Sequence, residues 1–129
     1  MTEIHYTWQE IETSINNIIT QMFKDDWMPN LIIGLTHGSI IPSTMLSNKL
    51  DISVVFGTTS VITNDNILIL TDFNKCGTSL KKLPNDLTNT KKSRIACILH
   101  NEASDVDVDY AYKHINTMEQ DYGVLFPWE

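Results

Sequence analysis

The chain has 129 residues, 42% apolar and 9% aromatic, with 19% charged side chains, a balance that fills one core and excludes a disordered chain. A formal net charge of −7 excludes a broad nucleic-acid surface, which needs clustered Lys and Arg. The basic clusters Lys81-Lys82 and Lys91-Lys92-Arg94 read instead as solvated helix ends.

The N-terminus Met1–His5 lacks the basic-then-apolar pattern of a signal peptide. No apolar stretch approaches a membrane span. Cys76 and Cys97 have neither a CxxC nor a zinc spacing, so reduced thiols are expected. These features predict a single domain over 1–129, cytoplasmic, with no membrane or nucleic-acid partner.

Thr7-Trp8-Gln9-Glu10 reads as a capping box. Ile11, Ile15, Ile18, Ile19, Met22 and Phe23 recur at steps of three and four, which makes one buried helical stripe. Asp25-Asp26 and Pro29 end that helix. Leu31–Leu35 is apolar on both faces and rich in β-branched residues, the pattern of a buried parallel strand. A tight loop, Thr36–Ser39, leads to a helix from Ile40 or Pro42 to Leu50, and a strand lies within Ile52–Ser60.

Asn64-Asp65-Asn66 is a turn signal. Ile67–Leu70 is a second fully buried strand, followed by a loop and a helix start over Thr71–Leu80. Pro84 cuts that helix short or restarts it. Arg94–Leu99 is another buried strand, Asn101–Asp109 a loop, and Val124–Phe126 a closing strand. Alternating strands and helices predict an α/β fold with a mostly parallel sheet flanked by helices. Ligands of such sheets sit beyond the carboxyl ends of the strands, where the strand order reverses.

Two loops leave buried strands at that edge. In Thr71–Ser79, Asp72 follows the strand, and Gly77 sits between Cys76 and Thr78-Ser79. Gly77 permits positive φ and close ligand approach. Amides at a helix start, the hydroxyls of Thr78 and Ser79, and the charge of Lys75 together favour an anion. The same Gly-Thr-Ser sequence also serves as an ordinary helix cap. No Walker A loop is present. His5 and His114 read as surface residues, Trp8, Trp27 and Trp128 as core or interface aromatics. Asp105, Asp107 and Asp109 read as a loop or edge strand without the Gly and Glu of an EF-hand.

Ile67–Leu80 resembles the phosphoribosyl-pyrophosphate (PRPP) motif of type I phosphoribosyltransferases: an apolar strand, two acids, two mostly apolar residues, Asp-Thr-Gly-x-Thr and a helix. Trp27–Pro42 resembles the family's first strand and pyrophosphate loop. Tyr6-Thr7-Trp8 and Phe126–Glu129 are similar to the xanthine/guanine/hypoxanthine branch. The resemblance implies transfer of phosphoribose from PRPP to a 6-oxopurine, a purine-salvage activity. Cys76, Gly77, Thr78 and Ser79 would hold the 5′-phosphate. Asp72 would contact the ribose hydroxyls and organise Mg²⁺. Thr36, His37 and Gly38 would bind pyrophosphate. His100 stands where the branch places a Lys against the 6-oxo group, and Tyr122 and the backbone at Val124 would face the base. A homodimer is left open.

The sequence departs from that family at informative places. Thr71 replaces the first acid. Lys75 replaces the third, the family's candidate general base, and reverses its charge; Asp72 and Lys75 are the candidate catalytic positions. His37 replaces a bidentate Arg, and Gly123 a stacking aromatic. Ser53–Asn66 has room for a strand and a turn but not for the family's long catalytic hairpin, which excludes water. The alternative reading is therefore a catalytically weakened homologue that binds a nucleotide or phosphate as a sensor or partner subunit. A phosphoacceptor receiver domain needs an acidic pair after its first strand, and Leu35 is followed by Thr36-His37.

Overall fold

A computed structural model describes residues 1–57, 66–83 and 92–129. The elements in chain order are β1 (Thr2–His5), α1 (Trp8–Lys24), β2 (Leu31–Gly34), α2 (Ile40–Leu50), β3 (Ser53–Phe56), β4 (Ile67–Asn74), α3 (Thr78–Lys81), β5 (Ser93–Asn101), β6 (Tyr110–Ile115) and β7 (Tyr122–Leu125). The expectations at Pro84, Lys91, Asn64-Asp65 and the segment after Gly57 lie outside the described residues.

Five strands form a parallel sheet in the order β3-β2-β4-β5-β6. The predicted strands from Leu31, Ile67 and Arg94 are thus the three central ones. Their apolar runs are buried on both faces, as a central parallel strand requires. From β2 the chain moves outward to β3 and then crosses back to β4 on the other side. The strand order therefore reverses between β2 and β4, and the crevice opens beyond their carboxyl ends.

Helices α1 and α2 cover one face. Ile15, Ile18, Met22 and Leu46 pack on Ile32, Leu68, Leu70, Ala96 and Tyr110. The opposite face buries Ile33, Leu35, Ile67 and Ile69 under Leu80, Leu83, Val106 and Val108. Among the described residues that face is covered by one helical turn and a loop rather than by a long helix. Thr7 caps α1 as predicted, its hydroxyl accepting the Glu10 amide at 3.1 Å. The other half of the box differs, since the Glu10 carboxylate meets the Thr7 hydroxyl at 3.4 Å rather than the Thr7 amide.

Two elements depart from the sequence reading. Thr2–His5 is a strand that pairs in parallel with β7; at four residues it is too short to show periodicity. Tyr110–Ile115 is a strand at the edge of the main sheet, hidden by its exposed Lys113 and His114. Arg94 lies in the predicted strand, within β5, so the helix-end reading of the Lys91-Lys92-Arg94 cluster does not hold for it. Its guanidinium bonds Asp25 at 2.6 Å and stacks 4.9 Å from the Trp27 ring.

Candidate functional site

The β2 edge supplies a 3-10 turn, His37–Ser39. Buried Ser39 holds it: its hydroxyl accepts the Thr36 amide at 2.9 Å and donates to the Thr36 carbonyl at 2.6 Å. His37 is exposed on this turn.

The sequence reading ended the next strand at Leu70, with Asp72 in a loop. In the structure β4 continues to Asn74, because β5 runs on beside it and pairs Phe73 with Leu99 and Asn74 with His100. Asp72 is therefore fixed on a strand. Its Oδ1 accepts the Phe73 amide at 2.8 Å and the Thr36 hydroxyl at 3.2 Å. A Cβ at Gly38 would stand 1.9 Å from Asp72 Oδ2. Asp72 thus joins the two loops that the sequence singled out, and Thr36 and Gly38 meet it directly.

Beyond Asn74 the chain turns through Lys75, Cys76 and Gly77. Gly77 has φ +83° and is the cap of α3, the left-handed conformation that glycine adopts freely. Helix α3 spans only Thr78–Lys81, so its dipole is small. The donors this loop can offer are instead first-turn amides, which have no intrahelical acceptor, and hydroxyls. Cys76 reports where those donors point. Its exposed Sγ lies 2.9 Å from the Thr78 hydroxyl. That contact, the Thr78 amide, and Lys75 and Lys81 nearby hold the thiol below its ordinary pKa. A cavity of about 160 Å³ is lined by Thr71 and by residues 73–80. A second, of about 440 Å³, lies against the other loop and is lined by Gly34–His37, Ile40, Phe56 and Gly57.

Two residues that sequence reasoning missed hold the turn at Lys75 and the loop at 104–106 that packs on Gly77. Asn74 is buried, donating from Nδ2 to the Val106 carbonyl at 2.7 Å and accepting the Ser104 hydroxyl at 3.2 Å. Asn101 is also buried, donating to the Lys75 carbonyl at 2.6 Å. Each closes an apolar strand, which is the one signal in the sequence that could have found them.

Of the expected base-contacting residues His100, Tyr122 and Val124, none lines either of these two cavities. His100 is 5% exposed. Its Nδ1 meets Asn74 Nδ2 at 3.1 Å and its ring stands edge-on to His114 at 5.7 Å. Burial, then His114, lower its pKa. Val124 packs with Tyr6, Ile11, Ile98 and Phe126 in a cluster that Phe73 also joins, so β7 connects to the site through β4. Tyr122 pairs with Thr2 in the small sheet rather than with either loop. No group of three His, Cys, Asp or Glu among the described residues is placed to hold a metal ion. No helix among them is long and apolar enough to cross a membrane.

No family model and no curated protein sequence matches the chain. Solved structures do. A purine phosphoribosyltransferase from Pyrococcus horikoshii superposes with a TM-score of 0.80 at 23% identity, covering 100% of this chain and 95% of that one. The xanthine-guanine-hypoxanthine phosphoribosyltransferase of Helicobacter pylori superposes with a TM-score of 0.83 at 16% identity, over 98% and 93%. A Neisseria gonorrhoeae protein with bound ppGpp gives 0.73 at 14% identity, over 99% and 89%. The chain has the α/β fold of the type I phosphoribosyltransferases.

Proposed function

We propose that this protein is a phosphoribosyltransferase-like protein that binds PRPP and acts on a 6-oxopurine base. One observation carries the reading: Asp72 on β4 bonds Thr36 at 3.2 Å and abuts Gly38, so both anion-type loops meet at one carboxylate. Cys76, Gly77, Thr78 and Ser79 would receive the 5′-phosphate. Asp72 would face the ribose, and Thr36, His37 and Gly38 the departing pyrophosphate. In the reaction a purine nitrogen bonds the anomeric carbon as that carbon's bond to pyrophosphate breaks. The chain's part is to position the two reactants and to donate hydrogen bonds to the leaving group.

The donor set suits Mg²⁺ only as a passenger of the substrate. Asp72 is the single acid of the motif, and its Oδ1 already accepts three hydrogen bonds, from the Phe73 amide and the Thr36 and Thr71 hydroxyls. Oδ2 is left to join substrate phosphates in holding the ion, the way Mg²⁺ is commonly bound. Mg²⁺ would neutralise the leaving pyrophosphate.

A second reading is a weakened homologue that binds a nucleotide as a sensor or partner subunit. Lys75 favours it: the side chain is exposed at the loop where the family motif carries an acid. So does the likeness to a protein with bound ppGpp, a nucleotide that, like PRPP, carries phosphate groups at two positions of its ribose. Calorimetry with PRPP, GMP and ppGpp, beside pyrophosphate release with hypoxanthine, guanine and xanthine, separates the readings. Absence of binding by all three ligands refutes both.

A further inference from the structure

The phosphate-type loop is held from the neighbouring strand by one fully engaged amide. Asn101 ends β5 and is 3% exposed. Its Nδ2 donates to the Lys75 carbonyl at 2.6 Å and to the Thr117 hydroxyl at 2.9 Å. Its Oδ1 accepts the Ala103 amide at 3.2 Å and the Thr117 amide at 3.1 Å. Two donors and two acceptors are all that an Asn side chain offers. One residue therefore ties together the loop at Lys75, the β5–β6 loop and the turn after β6. The β5–β6 loop in turn closes on Gly77, where a Cβ would meet Val106 at 2.8 Å and Ser104 at 3.2 Å.

We propose that Asn101 is a positioning residue for anion binding: it fixes the Lys75–Ser79 backbone so that its donors converge before any ligand arrives. This rests on the reading of that loop as the phosphate site. The physical reason is preorganisation, since a loop already held in its bound shape loses less entropy on binding. Without the Asn101 amide the Lys75 carbonyl loses its donor, and the Lys75 peptide would turn to find another.

The test separates Asn101 from the ligand question by using Cys76 as a reporter inside the loop. Asn101→Asp keeps both acceptor contacts and replaces the donor to Lys75 by an oxygen facing an oxygen. The pH midpoint of Cys76 alkylation by iodoacetamide should move upward in this variant as Thr78 leaves the thiol. GMP affinity should fall about tenfold, the size expected for one lost buried hydrogen bond. Thr117→Val removes a different Asn101 contact and should leave the Cys76 midpoint unchanged. In the wild type, should Asn101→Asp not fold, the Asn101 side-chain amide protons should exchange slowly and their resonances shift on titration with GMP. An unchanged Cys76 midpoint with a lower melting temperature would reduce Asn101 to a structural role and overturn the proposal. So would fast exchange of its amide protons. If wild-type protein binds no GMP while the midpoint still shifts, the phosphate reading fails and the control of the loop by Asn101 stands.

Discussion

A methyl group at Gly38 would stand 1.9 Å from Oδ2 and 2.6 Å from Cγ of Asp72, so the glycine of one loop and the carboxylate of the other exclude each other's growth. Gly38→Ala should push the Asp72 carboxylate off the Thr36 hydroxyl. The expected cost is about 1–3 kcal/mol, as for other overpacked sites, with PRPP affinity reduced as well. Urea unfolding and calorimetric titration measure the two effects. A Gly38→Ala variant with wild-type stability and affinity would mean that Asp72 and the 36–38 turn are not joined in solution.

At Gly77 two constraints coincide, a φ of +83° and a Cβ position 2.8 Å from Val106. Gly77→Val should be destabilising by about 1–3 kcal/mol from backbone strain and should abolish binding of 5′-monophosphates. Gly77→Val, Val106→Ala relieves the contact but not the strain, so binding should remain lost. Undiminished GMP affinity in either variant would take the phosphate site away from this loop.

His100 gives stability a pH dependence of defined sign. Its Nδ1 accepts from Asn74, and burial followed by His114 lowers its pKa, while Asp107 and Glu102 act in the opposite direction. The unfolded chain therefore takes up a proton near the ordinary value of about 6.5, where the native state still resists it. Stability attributable to this residue is flat above that pH and falls as the pH drops through it toward the lower native value. Denaturant unfolding at pH 7.5 and 5.5 should show the loss, and His100→Gln should flatten it. An equal loss in both proteins would assign the dependence to other groups.

Much of the fold could be read from the sequence because buried parallel strands are continuous apolar runs. Leu31–Leu35, Ile67–Leu70 and Arg94–Leu99 announced themselves, and their adjacency placed the two loops at one edge. What escaped was set by pairing rather than composition. Thr71–Asn74 looks like loop, yet it is strand because Cys97, Leu99 and His100 stand opposite to receive it. Tyr110–Ile115 alternates too weakly to be seen without β5 beside it. In the site, Asp72, Gly77 and the 36–38 turn were visible as motif. Asn74 and Asn101 were not, since their roles depend on carbonyls 26 to 32 residues away in sequence.

Lys75 decides between the two functional readings. Its backbone carbonyl is held by Asn101 at 2.6 Å while its side chain is exposed, so the ammonium is free to approach a ligand phosphate without moving the loop. A cation there strengthens ground-state binding of an anion. It cannot accept a proton or balance an electron-poor ribose as a carboxylate would, which is uniform binding without gain in rate. Wild-type protein should therefore bind purine monophosphates or PRPP with slow turnover or none. Lys75→Asp should weaken GMP binding, make PRPP binding more dependent on added Mg²⁺, and raise any turnover that survives. The change should leave the fold intact, because only the exposed side chain differs. Titrations with and without Mg²⁺, with pyrophosphate release from each variant, check this. Robust wild-type turnover that collapses in Lys75→Asp would give the ammonium a catalytic role, with the transition-state charge stabilised from Lys75 rather than from an acid.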